Sequence, residues 1–156
     1  MIGIREWTRD GFTVSNDPAR LQLDVIHGFL ARSYWSEDIP RDVVARSIEG
    51  SIGFGIYSGG DQVGFARIIS DRATFAYVAD VFVLEAYRAR GLARWLMQCI
   101  MQTPELQGLR RWLLVTRDAH ALYQAVGFLS VSRPEGFMEL VKRDLYQNRT
   151  REPPCT

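Results

Sequence analysis

The chain has 156 residues, 47% of them apolar and 24% charged, which suits one compact domain with a full core and argues against a low-complexity polypeptide. Its formal net charge of +1 makes no field that would gather nucleic acid or an anionic membrane. No stretch approaches the ~18 apolar residues of a membrane span. The N-terminus lacks the apolar core of a signal peptide and the two cysteines, Cys99 and Cys155, lie far apart, so reduced thiols in a cytoplasmic protein are expected.

In chain order, alternation around residues 4–7 and 12–15, separated by Asp10 and Gly11, predicts an opening strand or hairpin. Asp17 followed by Pro18 reads as an N-cap and first-turn proline, and Leu21, Val25, Phe29 and Leu30 carry a helix to about Ser33. A second helix begins after Ile39 and Pro40, with Val43, Val44 and Ile48 on its apolar face and Gly50 near its end. Residues 52–57 and 63–69 are rich in β-formers and flank a glycine-bearing turn, which predicts an antiparallel pair. A long central strand follows over about 74–84, then a helix after Gly91 that stops near Thr103 and Pro104. A further strand near 112–115, a short helix ending at Gly127, and two closing strands near 129–132 and 137–141 complete the expectation. The fold class is therefore α/β: a single mixed, mainly antiparallel sheet with helices on both faces. Residues 1–146 form the one domain, and 147–156, polar and proline-bearing, read as a flexible tail.

The most informative segment joins the central strand to its helix. Arg88, Ala89, Arg90, Gly91, Leu92, Ala93 and Arg94 make a small-residue turn with three cations. Gly91 admits close approach of a ligand to the backbone, and the free N–H groups opening the helix point at it. Three arginines at the positive end of a helix dipole are mutually unfavourable until an anion arrives, so the arrangement asks for a polyphosphate.

The spacing Arg88-x-x-Gly91-x-Ala93, followed downstream by Ala119-x-x-Leu122-Tyr123-x-x-x-Gly127-Phe128 after a strand, resembles the two signatures of the GNAT superfamily of acyl-CoA-dependent N-acetyltransferases. The resemblance covers roughly residues 50–142 and implies acetyl-CoA as cosubstrate, the 88–94 loop as the pyrophosphate site, and a central strand splayed from its neighbour. It implies that Val81, Phe82 and Val83 bind the pantetheine arm through the main chain, with a backbone N–H polarising the thioester carbonyl. It places Thr116, Asp118 and Ala119 along the same cleft, with Asp118 alternatively the N-cap of the following helix. Tyr123 matches the tyrosine that protonates the leaving thiolate in many relatives.

Acyl transfer to an amine also needs the amine neutral, and free alkyl amines titrate at about 10.4. The glutamate some relatives carry on the strand before the tyrosine helix has no counterpart in Trp112, Leu113, Leu114 and Val115. Asp80, alone in an apolar strand, is the substitute; it is a base, an anchor for the amine, or the structural partner of an arginine. Tyr34, Trp35 and Tyr77 are candidates for an acceptor wall, with the 34–38 loop alternatively plugging the core. His27 and His120 lie in no metal-ligand spacing, and motifs of zinc proteases, zinc ribbons, α/β-hydrolases and dinucleotide-binding folds are absent. The expected activity is acetyl transfer to a small-molecule or peptide amine by direct attack in a ternary complex, without a metal; the alternative is a non-catalytic acyl-CoA-binding or sensing domain. The acceptor and the oligomeric state, a homodimer included, are open.

Overall fold

The computed structural model describes residues 2–149. The opening is a hairpin: β1 (Glu6–Arg9) and β2 (Phe12–Ser15) turn through Asp10 and Gly11, both with positive φ. Asp17 does cap, accepting from the Ala19 N–H, but the turn it opens is a 3-10 segment at Pro18–Arg20 that leads into extended residues. The first α-helix, α1 (Leu23–Leu30), is therefore shorter at both ends than its periodicity suggests. The second, α2 (Arg41–Glu49), begins after Pro40 and is capped by Gly50.

Strands β3 (Ile52–Ser58), β4 (Asp61–Ser70) and β5 (Phe75–Val83) form an antiparallel meander beside the hairpin. After β5 come α3 (Leu92–Met101) and β6 (Arg111–Leu113), and β6 pairs with β5 in parallel, giving a six-stranded mixed sheet in the order β1-β2-β3-β4-β5-β6. A parallel neighbour demands a crossover, and α3 supplies it.

The sheet is buried on both faces. On one, α3 presses Leu92, Trp95, Leu96, Met97, Cys99 and Ile100 against Val14, Phe54, Ile56, Val63 and Val78, with Tyr123 at the margin. On the other, Ile26 and Leu30 of α1 and Val44 of α2 cover Phe65 and Phe82. Thr103 closes α3 by donating its hydroxyl to the Cys99 carbonyl, and Pro104 ends it. Gly64 is required by close approach: a Cβ there would lie 2.7 Å from Ile56 Cδ1 and 3.0 Å from the Phe82 carbonyl oxygen. No helix among the described residues is long and apolar enough to cross a membrane.

The C-terminal part departs from expectation. After α4 (His120–Gln124), neither 129–132 nor 137–141 joins the sheet; a 3-10 turn at Pro134–Gly136 separates them, and residues 129–145 are exposed throughout. The reason is a missing partner: a β-former becomes a strand only where an edge accepts its hydrogen bonds, and the segment does not reach the free edge of β6. A final helix, α5 (Leu145–Arg149), contains Gln147, so the first residues assigned to the tail are helical and docked, Arg149 Nη2 lying 2.9 Å from Asp42 Oδ2. The remainder of the expected tail, with Cys155, lies outside the described residues.

Candidate active site

Two features of β5 open the middle of the sheet. Its pairing with β4 runs from Ala76 to Val83, but its pairing with β6 stops at Tyr77, so the edge beyond Tyr77 that faces β6 has no strand partner among the described residues. The strand is also bulged. Phe65 pairs with Phe82 and Arg67 with Ala79, which leaves Asp80 and Val81 opposite Ala66 alone. Asp80 takes a left-handed φ of 57°, a conformation an aspartate tolerates better than most residues and one typical of bulges that re-aim a side chain.

That bulge turns the Asp80 carboxylate into a nearly buried polar cluster. Oδ2 accepts from Arg67 Nε at 2.7 Å and Oδ1 from Trp35 Nε1 at 3.1 Å, while Arg67 Nη1 donates to Ser51 Oγ at 3.0 Å. Both carboxylate oxygens are thus occupied, and of the roles open to Asp80 the arginine partnership is the one realised in this geometry. Tyr77 lies close enough to feel Asp80, and its phenol is pushed up by burial and then by that carboxylate.

The loop after α1 bridges the opening. Phe29 stacks on Phe82, ring centroids 4.0 Å apart, and Tyr34 and Trp35 meet edge to face at 5.0 Å. Trp35 bonds to the β5 side through Asp80; the Tyr34 hydroxyl accepts from the Arg117 N–H at 3.2 Å on the β6 side, under the Arg117 guanidinium at 3.8 Å. Both rings remain 41–48% exposed, so they line a surface instead of plugging the core. His27 steadies the loop through a contact of 3.0 Å between Nε2 and the Ile39 carbonyl oxygen.

Tyr123, on α4, is 8% exposed and meets Phe128 edge to face. Burial, helped by the nearby Tyr34, pushes its phenol up to about 12. Thr116, not Asp118, anchors the start of α4: its hydroxyl accepts from the Ala119 N–H at 3.0 Å, while Asp118 is exposed beside Arg117. Ala119 itself stands at the helix cap.

At the end of β5, Ala89 and Gly91 have left-handed φ values of 61° and 71° on either side of Arg90, and Gly91 is the N-cap of α3 with no side chain over the N–H groups of Leu92 and Ala93. Alternating conformations of this kind curl successive N–H groups inward around an anion. Arg88 Nε donates to the Val83 carbonyl at 3.1 Å, Arg90 leans on Tyr87, and Arg94 is exposed. A further cation, unnoticed in the sequence because it belongs to the distant hairpin, is Arg9: it lies over Trp95 and donates Nη2 to the Gly91 carbonyl at 3.3 Å. Arg67 and Arg117 are likewise site residues brought in by the sheet and the α4 approach; the one signal for Arg67 was an arginine inside an apolar strand. No group of three metal-ligating side chains occurs among the described residues.

The acetyltransferase (GNAT) family model matches residues 4–128. A Gibberella zeae protein provisionally named an acetyltransferase is 34% identical over 142 residues, spanning 76% of this chain and 79% of the relative. A crystal structure from Xanthomonas campestris pv. campestris, provisionally assigned as a GNAT acetyltransferase, is 45% identical with a TM-score of 0.85, covering 89% of this chain and 99% of that one. Glucosamine-6-phosphate N-acetyltransferase from Arabidopsis thaliana shares the fold at 13% identity, with a TM-score of 0.60 over 84% of this chain and 97% of its own. With the parted strands, the glycine-capped helix and the buried tyrosine in place, the chain belongs to the acetyltransferase (GNAT) family.

Proposed function

We propose that the protein transfers an acetyl group from acetyl-CoA to an amine by direct attack in a ternary complex. The observation that carries the reading is the parting of β5 from β6 after Tyr77, continuous with the left-handed loop that caps α3. One strand edge and one helix start then suit the two polar parts of the cosubstrate. The backbone of Val81, Phe82 and Val83 holds the pantetheine arm, and the N–H groups of the loop from Arg88 to Arg94 hold the pyrophosphate. Thr116, Asp118 and Ala119 form the opposite lip.

The amine lone pair attacks the thioester carbon, a C–N bond forms, and the C–S bond breaks with its electrons on sulfur. An N–H of the bulged strand stabilises the carbonyl oxygen as it gains charge. Tyr123 donates its hydroxyl hydrogen to the sulfur. Because burial holds this phenol at about 12, above a free thiol at about 8.5, the hydrogen is shared during bond breaking and solvent supplies the final proton. The proton released by the amine also leaves to water. Asp80 is a positioning residue: bonded to Arg67 and Trp35, it sets the acceptor wall of Tyr34, Trp35 and Tyr77.

Thiol release from acetyl-CoA with a panel of small amines, polyamines, amino acids and peptide N-termini tests this reading. Turnover with any of them, with the acetyl group recovered on nitrogen, is the expected result. Tight acetyl-CoA binding without turnover on every acceptor would replace it with the sensing alternative.

A further inference from the structure

Strand alternation sorts the residues of β4 and β5 onto two faces. Ala66, Ile68, Ala76 and Val78 pack on the α3 side, whereas Phe65 lies under α1 and α2, so Arg67, Ile69 and Tyr77 belong to the face of α1 and α2. There Ile69 opposes Tyr77, and Tyr77 opposes Leu113, in a row across three strands. The helices stop short of this row: Ile69 is 41% exposed, and Tyr77 and Leu113 are only partly covered. Trp35, bonded to Asp80, and Tyr34, bonded to the Arg117 N–H, stand beside it. An apolar floor and an aromatic wall thus meet where β5 parts from β6.

This surface offers little to an ammonium group. The segments that build it, residues 29–36, 67–69, 77–80 and 111–116, contain one acid, Asp80. Its two oxygens accept from Arg67 and Trp35, and the Arg67 guanidinium balances its charge. The Tyr34 ring already carries the Arg117 guanidinium at 3.8 Å, in the place a cationic acceptor would take. Tyr77, its phenol pushed up by burial, keeps its proton and is no base. Glu37, Asp38 and Asp118, the next acids along the chain, are all exposed, and Asp118 lies beside Arg117. Near pH 7.4 only about one alkyl amine in a thousand is neutral. Such an acceptor would arrive charged at a floor with no free carboxylate to hold it or to take its proton.

We propose that the acceptor is an aromatic amine, its nitrogen bonded directly to the ring, held by ring contacts with Tyr34, Trp35 and Tyr77. The assignment rests on the acetyl transfer proposed above and names its substrate class. Conjugation of the lone pair with the ring keeps such a nitrogen uncharged at neutral pH, so it needs no base before it attacks. The ring finds offset and edge-on partners in the aromatic wall, and Ile69 and Leu113 beneath it lose water. The lone pair forms the C–N bond, the electrons of the C–S bond stay on sulfur, and sulfur gains its proton from solvent by way of Tyr123. The nitrogen gives up one N–H proton to water, which leaves an N-aryl acetamide and free coenzyme A.

The test compares aniline, benzylamine and spermidine as acceptors for the full chain at saturating acetyl-CoA, reading thiol release and the acetylated product, with calorimetric titration of each amine into the coenzyme A complex. Aniline should exceed both other amines in kcat/KM by about tenfold or more, and should bind the complex more tightly than spermidine. Trp35→Leu should raise the KM for aniline about tenfold, and Trp35→Phe, which keeps a ring, should restore most of the loss, with acetyl-CoA affinity held in both. Ile69→Asp, at an exposed position, supplies the carboxylate the floor lacks and should shift the preference toward spermidine. A wild-type preference for benzylamine or spermidine would overturn the assignment and leave acetyl transfer standing. So would a coenzyme A complex that does not bind aniline, or a preference indifferent to both Trp35→Leu and Ile69→Asp. Turnover on no amine at all would remove the proposed reaction and this assignment with it.

Discussion

Tyr123 and Asp80 are both nearly buried, yet they meet different surroundings. The Tyr123 hydroxyl is held by packing alone, with Phe128 on one side of the ring and no hydrogen-bond partner for the oxygen among the described residues. Tyr123→Phe should therefore fold normally and bind acetyl-CoA nearly as well. Its single-turnover rate should fall by about 10²-fold, the low end for general acid catalysis, since a phenol at about 12 shares its proton more readily than it surrenders it. The rate of the wild type should show no downward limb from this group until the pH nears 12; an unchanged single-turnover rate in the variant would reduce Tyr123 to a packing residue. Asp80 and Arg67 are 9% and 16% exposed at the side chain. Removing one partner strands the other, so Arg67→Met should cost about 3–5 kcal/mol in urea denaturation, and Arg67→Met with Asp80→Asn much less than the two single changes together. Additive losses in that cycle would show the pair to be uncoupled. The sequence named Asp80 as a residue needing a partner, because a buried carboxylate always does. Which arginine answers was set by the register of β4 on β5, thirteen residues away in the chain.

Among the elements, the loop before α3 was the most legible, because glycine in the left-handed region, a following helix and clustered arginines are all local properties. Gly91→Val tests it. A Cβ at Gly91 meets nothing closer than Arg9 Nη2 at 3.8 Å, so the substitution is opposed by backbone strain, about 1–2 kcal/mol, and by crowding of a bound phosphate. Coenzyme A affinity should drop sharply in a variant that still melts cooperatively, whereas unchanged affinity would remove the loop from the site. Short or weakly local elements were read less well. The helix expected through Ser33 ends at Leu30, where the Ser33 hydroxyl turns back to the Leu30 carbonyl and starts the loop that carries Tyr34 and Trp35. The closing strands were expected from β-propensity, which describes a fit to a neighbouring strand and not a property of the segment. With the slot beside β6, a cavity of about 500 Å³, unfilled by any of the described residues, 129–132 and 137–141 stay out of the sheet.

At the scale of the molecule, the two faces of the sheet bury several protonated groups whose charged forms the fold cannot solvate. Burial pushes Tyr57 and Tyr123 up to about 12 and the Cys99 thiol up to about 11. Each has a folded pKa above its unfolded one. Below the unfolded values of about 8.5 and 10 these groups leave stability unchanged; above them the unfolded chain ionises first. Stability should thus fall from about pH 9 upward and continue to fall until the folded groups titrate near 12. Urea midpoints measured from pH 8 to 11 should decline, and Tyr57→Phe should flatten the upper part of the decline; a midpoint constant over that range would contradict the burial of these groups. The sequence by itself determined the class of fold, the antiparallel pair β3–β4, the left-handed glycine loop before α3 and the tyrosine helix, because periodicity, glycine placement and the spacing of two motifs act over a few residues. Only the tertiary structure decided the bulge at Asp80, the Arg67–Asp80–Trp35 cluster, the reach of Arg9 to Gly91 and the slot left beside β6, since each depends on which distant segments the sheet register brings together.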